Sequence, residues 1–301
     1  MSGNPVAPHD SFGSFSPVSS VGNSGALLRV SAIVFDLDNT LIDTVGADKC
    51  AFERVHSTLH SNYPVFPHPS HVTDTFKMLL SSGAELMSVD CDDIDNSASS
   101  TSTSSSAKQK SCHEMRFEMW CEAVERNIPP DSNAKKSLDP SRIAALCNSV
   151  WSKTRAAGFN IAPQDAILLE RLKQRGFKLA ILTNGPKDVQ QIKVNSVLDH
   201  LSPGIFDCVV ISGEYSIHKP DPRIFETVTQ QLNTTPSQTA IVGDSPDTDI
   251  LGGNFAGWKT IWFNPDKRVC DSLSRKPHVE IQSLSDLALV IDLNHAPQKA
   301  L

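Results

Sequence analysis

Apolar residues in the second half of the chain form short uninterrupted runs that alternate with longer amphipathic stretches. Such runs are typical of strands buried on both faces of a parallel sheet, and the stretches have helical spacing. The strand-like runs are SAIVFDLD (31–38), FKLAILTN (177–184), FDCVVIS (206–212), TAIVGDS (239–245) and KTIWFN (259–264). Helical segments between them predict right-handed crossovers. We therefore expect an α/β protein with a Rossmann-like three-layer core around a parallel sheet.

The first of these strands is separated from the others by a region, 46–165, whose pattern is helical. Residues such as Met119, Trp120 and Ala123 form apolar stripes at helical spacing, which indicates packing between helices. Because the strand before this region belongs to the same sheet as the strands after it, the region is predicted to be an inserted helical cap. The core then consists of 29–45 and 166–301.

Two segments lack any hydrophobic period. Residues 1–28 are rich in Ser, Gly and Pro, and residues 90–111 combine an acidic run with a run of serines. Neither composition can bury enough apolar surface to offset the entropy lost on ordering. We expect a disordered leader and a disordered insertion within the cap.

Polar residues stand where the predicted strands end. They are Asp36 and Asp38 after the first strand, Thr183, Asn184 and Gly185 after the second, Lys219 a short loop after the third, and Asp244 after the fourth. The carboxyl ends of parallel strands meet at one edge of a sheet, which is where such sheets bind ligands. The sequence therefore predicts one site that contains carboxylates, a hydroxyl, an amide and an ammonium group.

Phosphoryl transfer needs this combination of groups. Two carboxylates one residue apart are costly to desolvate without a cation, and Mg²⁺ prefers hard oxygen ligands. Asp36 and Asp244, with a main-chain carbonyl near Asp38, can supply such ligands. Asp36 can also attack phosphorus and form an aspartyl-phosphate, while Asp38 transfers protons as general acid and base.

The remaining predicted residues suit the phosphate itself. Thr183, Lys219 and the amides around Asn184 and Gly185 can hold the charged phosphate oxygens. Taken singly, these residues have ordinary structural explanations. The TNG stretch is also a turn signal, and a lone lysine such as Lys219 is most often a surface residue. Their order along the chain, each after a predicted strand, favours a phosphate site.

Composition limits the partners. The 301-residue chain has a net charge of −7, so it lacks the basic excess that general binding to nucleic acid requires. No apolar run reaches the ~20 residues that span a bilayer, so no membrane partner is expected. The chain has seven cysteines and no CxxC pair, which indicates reduced thiols rather than a disulfide framework. Because thiols stay reduced in the cytoplasm, we expect a cytoplasmic location. The sequence predicts no oligomeric state.

Four segments resemble the motifs of the haloacid dehalogenase superfamily. They are DLDNTLIDT (36–44), LTNG (182–185), HKPDP (218–222) and GDSPDTD (243–249). The resemblance is to the phosphatases of that superfamily, which carry a second acid in the first motif, as Asp38 is here. The cap resembles the helical type C1 cap, which is inserted after the first motif.

The resemblance implies a role for each matching residue. Asp36 would be the nucleophile and a magnesium ligand, and Asp38 the general acid and base with a part in the metal site. Asp244 would be a metal ligand and Asp249 a supporting acid. Thr183 and Lys219 would hold the phosphate, as the residue chemistry also indicates.

The expected function is that of a magnesium-dependent phosphatase acting on a small phosphorylated substrate. The segments FEMWCEAVERN (117–127) and VWSKTR (150–155) resemble those of phosphatases for a phosphorylated sugar acid. In the cap, Arg116, Trp120 and Arg155 are candidates for contact with a sugar carboxylate, although packing or exposure explains each one singly.

Other functions stay open at this point. A nucleoside 5′-monophosphatase or a broad sugar-phosphate phosphatase would have the same core, because only the leaving group differs. A phosphotransferase or mutase would differ only in its acceptor. A non-catalytic binding protein on this scaffold is disfavoured, because Asp36, Asp38, Lys219 and Asp244 are all present.

Overall fold

The computed structural model describes residues 27–66, 68–89, 110–129, 138–270 and 272–294, with the backbone alone in 83–89. The predicted leader (1–28) and the predicted insertion (90–111) lie outside the described residues except at their ends. Their disorder therefore stays a prediction.

A six-stranded sheet forms the centre of the described structure, and every strand pairing in it is parallel. Its strands are β1 (Ala32–Phe35), β2 (Lys178–Thr183), β3 (Cys208–Ile211), β4 (Thr239–Gly243), β5 (Lys259–Phe263) and β6 (Val279–Ile281). Their spatial order is β3-β2-β1-β4-β5-β6. The predicted parallel α/β core is confirmed. The hydrophobic pattern did not indicate β6, because this edge strand has only three residues.

Helices cover both faces of the sheet and make three layers. Successive strand residues point to opposite faces, so Ile33 and Phe35 of β1 join one hydrophobic cluster while Ala32 and Val34 join another. The first cluster includes residues of α5 (Pro163–Gln174), α6 (Lys187–Leu198) and α9 (Leu287–Val290), and the second includes residues of α7 (Pro222–Leu232). A short helix, α8 (Leu251–Phe255), precedes β5. Burial on both faces explains why β1 is a continuous apolar run.

The described residues between β1 and α5 form four helices. They are α1 (Thr44–Asn62), α2 (Pro69–Val89), α3 (Cys112–Asn127) and α4 (Pro140–Ala157). They share a separate hydrophobic cluster in which Phe76 stacks on Trp120, with ring centroids 3.8 Å apart, and meets Trp151 edge-on at 5.4 Å. The helical pattern predicted here is present. The division of the chain into cap and core at 46–165 stays a prediction.

The two connections to this helical region run side by side. Ile42, on the path from β1 to α1, forms an antiparallel bridge with Ile161, on the path from α4 to α5. Both side chains are buried. The helical region therefore begins and ends directly beside the carboxyl end of β1.

Candidate active site

Strand β1 brings two aspartates to the carboxyl edge of the sheet. Asp36 directly follows the strand, and its amide extends the sheet by donating to the carbonyl oxygen of Val242 at 2.9 Å. Asp38 lies two residues further on, before a turn in which Asn39 has a φ of 57°. From β1 the chain adds β2 and β3 on one side of the sheet and then β4, β5 and β6 on the other side. In parallel sheets with such a change of side, ligands usually bind at the carboxyl ends of the strands where the change occurs.

Lys219 lies at the centre of the site. Its ammonium group donates to Asp36 Oδ1 at 2.6 Å, to Asp249 Oδ1 at 2.7 Å and to the carbonyl oxygen of Leu182 at 2.9 Å. The residue is only 2% exposed. Burial alone lowers the pKa of Lys219, but the carboxylates of Asp249 and Asp36 outweigh burial and hold that pKa above its usual value. Lys219 is therefore a fixed, protonated cation.

The Asn184 side chain fixes the main chain of Lys219. Asn184 Nδ2 donates to the Lys219 carbonyl oxygen, and the Lys219 amide donates back to Asn184 Oδ1, both at 2.9 Å. This reciprocal pair links the carboxyl end of β2 to the loop after β3. The predicted phosphate-binding residue Asn184 thus has a clear structural role, and its contact with phosphate stays a prediction.

Three carboxylates gather beside this lysine. Asp36, Asp244 and Asp249 each place a carboxylate oxygen within 4.8 Å of the others. Burial, with a further contribution from Asp249 against the opposing effect of Lys219, raises the pKa of Asp36 to about 7. Burial and the charge of Asp36 raise the pKa of Asp244 to about 6. Asp36 and Asp249 are buried and Asp244 is partly exposed. Lys219 carries one positive charge against these three carboxylates, so the site favours an additional cation.

Asp249 reaches this group through a close turn. A π-helical turn, Pro246–Ile250, follows β4, and Asp249 Oδ2 accepts from the Ser245 amide at 3.1 Å. A Cβ atom at Gly243 would lie 2.3 Å from the Asp249 carboxylate. Glycine at 243 is therefore needed for Asp249 to approach the strand end.

The Asp38 carboxylate is turned toward α6 and α1. It accepts from Lys193 Nζ at 2.6 Å, from Gln190 Nε2 at 2.8 Å and from the hydroxyl of Thr44. These donors, with Lys193 the strongest, outweigh the opposing effect of burial and lower the pKa of Asp38. Asp38 is thus an ionised carboxylate in a fixed position, distinct from the acid-rich group around Lys219.

Sequence reasoning missed Lys193 and Gln190. Both are almost fully buried and lie on the inner face of α6 with Val194 and Val197. These four positions have the spacing i, i+3, i+4 and i+7 of a buried helix face. Two polar residues on such a face were the signal that could have identified them.

The loop after β2 supplies the remaining predicted residues. Thr183 Oγ1 accepts from Gln190 Nε2 at 3.0 Å, which places this buried hydroxyl next to the Asp38 network. Gly185 has a φ of 135°, which favours glycine. Its amide donates to Ser212 Oγ at 3.0 Å. A phosphate role for Thr183 and Gly185 stays a prediction.

Arg268 is a third residue that the sequence did not indicate. Its Nη2 donates to the Asp244 carbonyl oxygen at 2.5 Å and lies 3.6 Å from the Asp244 carboxylate. The same carbonyl accepts from Trp262 Nε1 at 3.0 Å. Together these contacts hold Asp244 at the rim of the site. No local motif marked Arg268, which follows β5 in an irregular loop.

This fold and this grouping of aspartates, lysine and threonine define a class of hydrolase. The model of the haloacid dehalogenase-like hydrolases matches residues 163–257. The chain is also 30% identical to the N-acylneuraminate-9-phosphatase of Mus musculus over 266 residues, which is 88% of this chain and 95% of the mouse protein. The N-acylneuraminate-9-phosphatase of Homo sapiens is likewise 30% identical over the same shares. The chain belongs to the haloacid dehalogenase-like hydrolases and is a phosphatase, a phosphoric monoester hydrolase.

Solved structures agree with the fold. A HAD hydrolase of Bacillus subtilis named YfnB, crystallised bound to magnesium, matches with a TM-score of 0.57 at 20% identity and covers 88% of this chain and 99% of its own. A likeness at this identity supports the fold alone. Among the described residues, no helix combines the length and apolarity needed to cross a membrane. The phosphatase relatives imply a small phosphorylated substrate.

Proposed function

We propose that this protein hydrolyses N-acylneuraminate 9-phosphate through an aspartyl-phosphate on Asp36, with Mg²⁺ as cofactor. The contact of Lys219 with both Asp36 and Asp249, beside Asp244, is the observation that carries the chemistry. The substrate is supported by the similarity to the mouse and human enzymes, which covers 88% of the chain and so includes helices α1 to α4. A cytoplasmic location is part of the proposal.

The charge of the site supports a divalent cation. Asp36, Asp244 and Asp249 offer oxygen atoms within 4.8 Å of one another, and hard oxygen ligands are those that Mg²⁺ prefers. Burial, with a smaller contribution from neighbouring carboxylates, raises the pKa values of Asp36 and Asp244, so a cation bound beside them would stabilise their charged forms. In this proposal Asp36 and Asp244 hold the ion, with the Asp38 carbonyl, and Asp249 supports them. The bound ion would neutralise part of the phosphate charge.

The reaction then proceeds in two steps. One carboxylate oxygen of Asp36 attacks phosphorus and the bond to the leaving oxygen breaks. Asp38 is ionised in the free protein, so it first takes up a proton, from the monoanionic ester or from water, and then gives that proton to the leaving oxygen. Asp38 next takes a proton from water, which attacks the aspartyl-phosphate and releases inorganic phosphate. The contacts of Asp38 with Lys193, Gln190 and Thr44 support this role, because they fix its carboxylate in one orientation.

Other groups bind the phosphate and the leaving group. Lys219 and Thr183 hold phosphate oxygens, with the amides around Asn184 and Gly185, and stabilise charge that develops in the transition state. The helices of 46–165 act as a cap over the leaving group, which is a sugar acid. The joined connections at Ile42 and Ile161 support this, because they set those helices beside β1.

The test is phosphate release from a panel of esters. The panel contains N-acetylneuraminate 9-phosphate, several mononucleotides and simple sugar phosphates, each assayed with Mg²⁺ and with a chelator. We expect release that requires Mg²⁺ and a kcat/KM that is highest for the sialic acid ester.

Other results would change the proposal in defined ways. A preference for mononucleotides would keep the chemistry and replace the substrate. Undiminished release in chelator would contradict the metal requirement. Transfer of phosphate to another sugar, without free phosphate, would identify a transferase.

A further inference from the structure

Three cations form a row that leads from Asp38 into the helical region. The Arg116 and Arg155 guanidinium carbons lie 5.7 and 5.1 Å from the centroid of the Trp151 ring. Arg155 also lies 5.0 Å from the Phe159 ring, and Lys193 Nζ lies 5.5 Å from the same ring. Since Lys193 contacts Asp38 at 2.6 Å, the row begins at the proposed acid and base.

The members of this row differ in their partners. Lys193 pairs with Asp38, and Arg155 pairs with Asp48, to which Nη2 donates at 3.3 Å and Nε donates as well. Within the described residues Arg116 has no ion pair, and its buried Nε has no hydrogen-bond partner. A buried charged donor without an acceptor costs folding free energy. Arg116 is therefore the member of the row that can accept an anion.

The surroundings of Arg116 agree with this assignment. Burial and the neighbouring Arg155 guanidinium lower the pKa of Arg116, while Cys112 and the carboxylates of Asp188 and Asp48 only partly oppose them. A second cation next to an unpaired one is unfavourable until an anion lies between them. Asp188 is in the first turn of α6, so Arg116 faces the part of the core that follows the predicted phosphate loop.

The third candidate from the sequence is excluded as a ligand contact. Trp120 is fully buried and stacks on Phe76 with ring centroids 3.8 Å apart. It serves the packing of the helical region. The sequence left open, for Arg116, Trp120 and Arg155, whether each packs or binds the substrate. The structure assigns Trp120 to packing and, among the described residues, leaves Arg116 as the residue with a free charge for recognition.

We propose that Arg116 binds a carboxylate of the leaving group and that Arg155, held on Asp48, completes the positive end of this subsite. The substrate class is a phosphate monoester of a polyhydroxy acid. The inference rests on the proposed function in one respect, namely that Asp38 protonates the leaving oxygen and so faces the leaving group. It does not depend on which acidic ester is the natural substrate.

The experiment compares esters that differ in a carboxylate. One pair is N-acetylneuraminate 9-phosphate with N-acetylmannosamine 6-phosphate, and a second is 3-phosphoglycerate with glycerol 3-phosphate. The ratio of kcat/KM for the acidic over the neutral ester is measured in the wild-type protein and in Arg116→Met, which keeps the packing length of the side chain. The matched control is Arg126→Met on the same helix, an exposed arginine that pairs with Glu122.

We expect the ratio to exceed one in the wild-type protein and to fall about 10- to 100-fold in Arg116→Met, through a higher KM for the acidic ester, as for a lost charge-assisted hydrogen bond. Arg126→Met should leave the ratio unchanged. Arg116→Lys, which keeps the charge without the bidentate fork, should give an intermediate ratio. Thermal unfolding should show little loss of stability in Arg116→Met, because the removed charge has no ion-pair partner among the described residues and the methionine side chain still covers the Trp151 ring.

The opposite results overturn the inference. A wild-type ratio at or below one for both pairs means that no carboxylate subsite exists. A ratio unchanged in Arg116→Met, or in Arg116→Lys if the first variant does not fold, means that Arg116 only covers Trp151. A preference for mononucleotides in the wild-type protein would instead refute the proposed substrate, and the ratio for the glycerol-based pair would still decide the role of Arg116.

Discussion

Lys219 and Asp38 on the sheet side of the candidate site differ from Arg116 on the helical side in how fully the protein itself supplies their partners. On the sheet side, Lys219 has three acceptors and Asp38 has three donors, all from the protein itself. On the helical side, Arg116 has no acceptor among the described residues. The phosphate is the same in every substrate of this chemistry, so groups that act on it can be fixed in advance. The leaving group differs between substrates. A cation without a partner in the protein can therefore contribute to specificity, because only a substrate with a suitable anion supplies its partner.

The largest effect is expected on the sheet side. Asp36→Asn barely changes side-chain volume but removes the nucleophile and a proposed metal ligand. We expect kcat to fall on the order of 10⁴-fold or more. Steady-state phosphate release from purified protein measures this, and the exposed Asp266→Asn serves as control. Near-wild-type turnover in Asp36→Asn would mean that the mechanism is wrong.

The helical region should respond to changes in packing. Trp120→Ala removes the ring that stacks on Phe76 in the separate cluster of α1 to α4, and large-to-small core changes of this kind cost about 3–5 kcal/mol. Urea unfolding measures the loss. Trp120→Phe keeps the stack and removes an indole N–H that has no hydrogen-bond partner among the residues the structure describes, so its stability should be close to that of the wild-type protein. An equal loss in both variants would contradict this account.

A smaller effect is expected from the residue that positions Asp38. Lys193→Met removes the strongest donor to the Asp38 carboxylate, so the pKa of Asp38 should rise. We expect kcat to fall about 10²-fold, and the pKa that Asp38 contributes to the pH–rate profile should move upward. Lys173→Met, which breaks the outlying pair with Asp207, should change neither quantity. A lower kcat with an unmoved profile would assign Lys193 a structural role alone.

The smallest expected effect is the change of folding stability with pH and with Mg²⁺. A carboxyl group with a higher pKa in the folded than in the unfolded state stabilises the fold at low pH, and that stability is lost as pH rises through the folded pKa. The pKa of Asp36 is about 7 and that of Asp244 about 6, against about 4 for an unfolded chain. Chelated protein should therefore lose stability between about pH 4 and pH 7.

Mg²⁺ should reverse this loss. Its stabilising effect on Tm should be greater at pH 8 than at pH 5, because protons no longer compete for the carboxylates. Differential scanning fluorimetry with and without Mg²⁺ at each pH measures it. Asp244→Asn should weaken the effect of Mg²⁺. An effect of Mg²⁺ equal at both pH values would argue against binding at these acids.

The core of this site was predictable because local pattern and topology agree. The apolar run at 32–35 predicts a buried strand, and parallel pairing then brings Asp36, Thr183 and Asp244 to one edge. The same reasoning placed Lys219 at this edge, but it did not predict the three oxygen atoms to which Lys219 donates. Lys193 and Gln190 were missed, since a buried polar residue on a helix is read as exposed unless the inner face of that helix is known.

The sequence by itself determined the class of fold, the strand ends that carry the aspartates and the chemistry those residues can perform. These depend on period, on burial and on the meeting of parallel strands at one edge, which local pattern encodes. Only the tertiary structure decided which side chains pair. Lys193 contacts Asp38 across 155 positions of the chain. Arg155 forms an ion pair with Asp48, whereas Arg116 has none within the described part of the chain. Such contacts depend on how each helix is rotated against its neighbours, and that rotation is set by packing of the whole core.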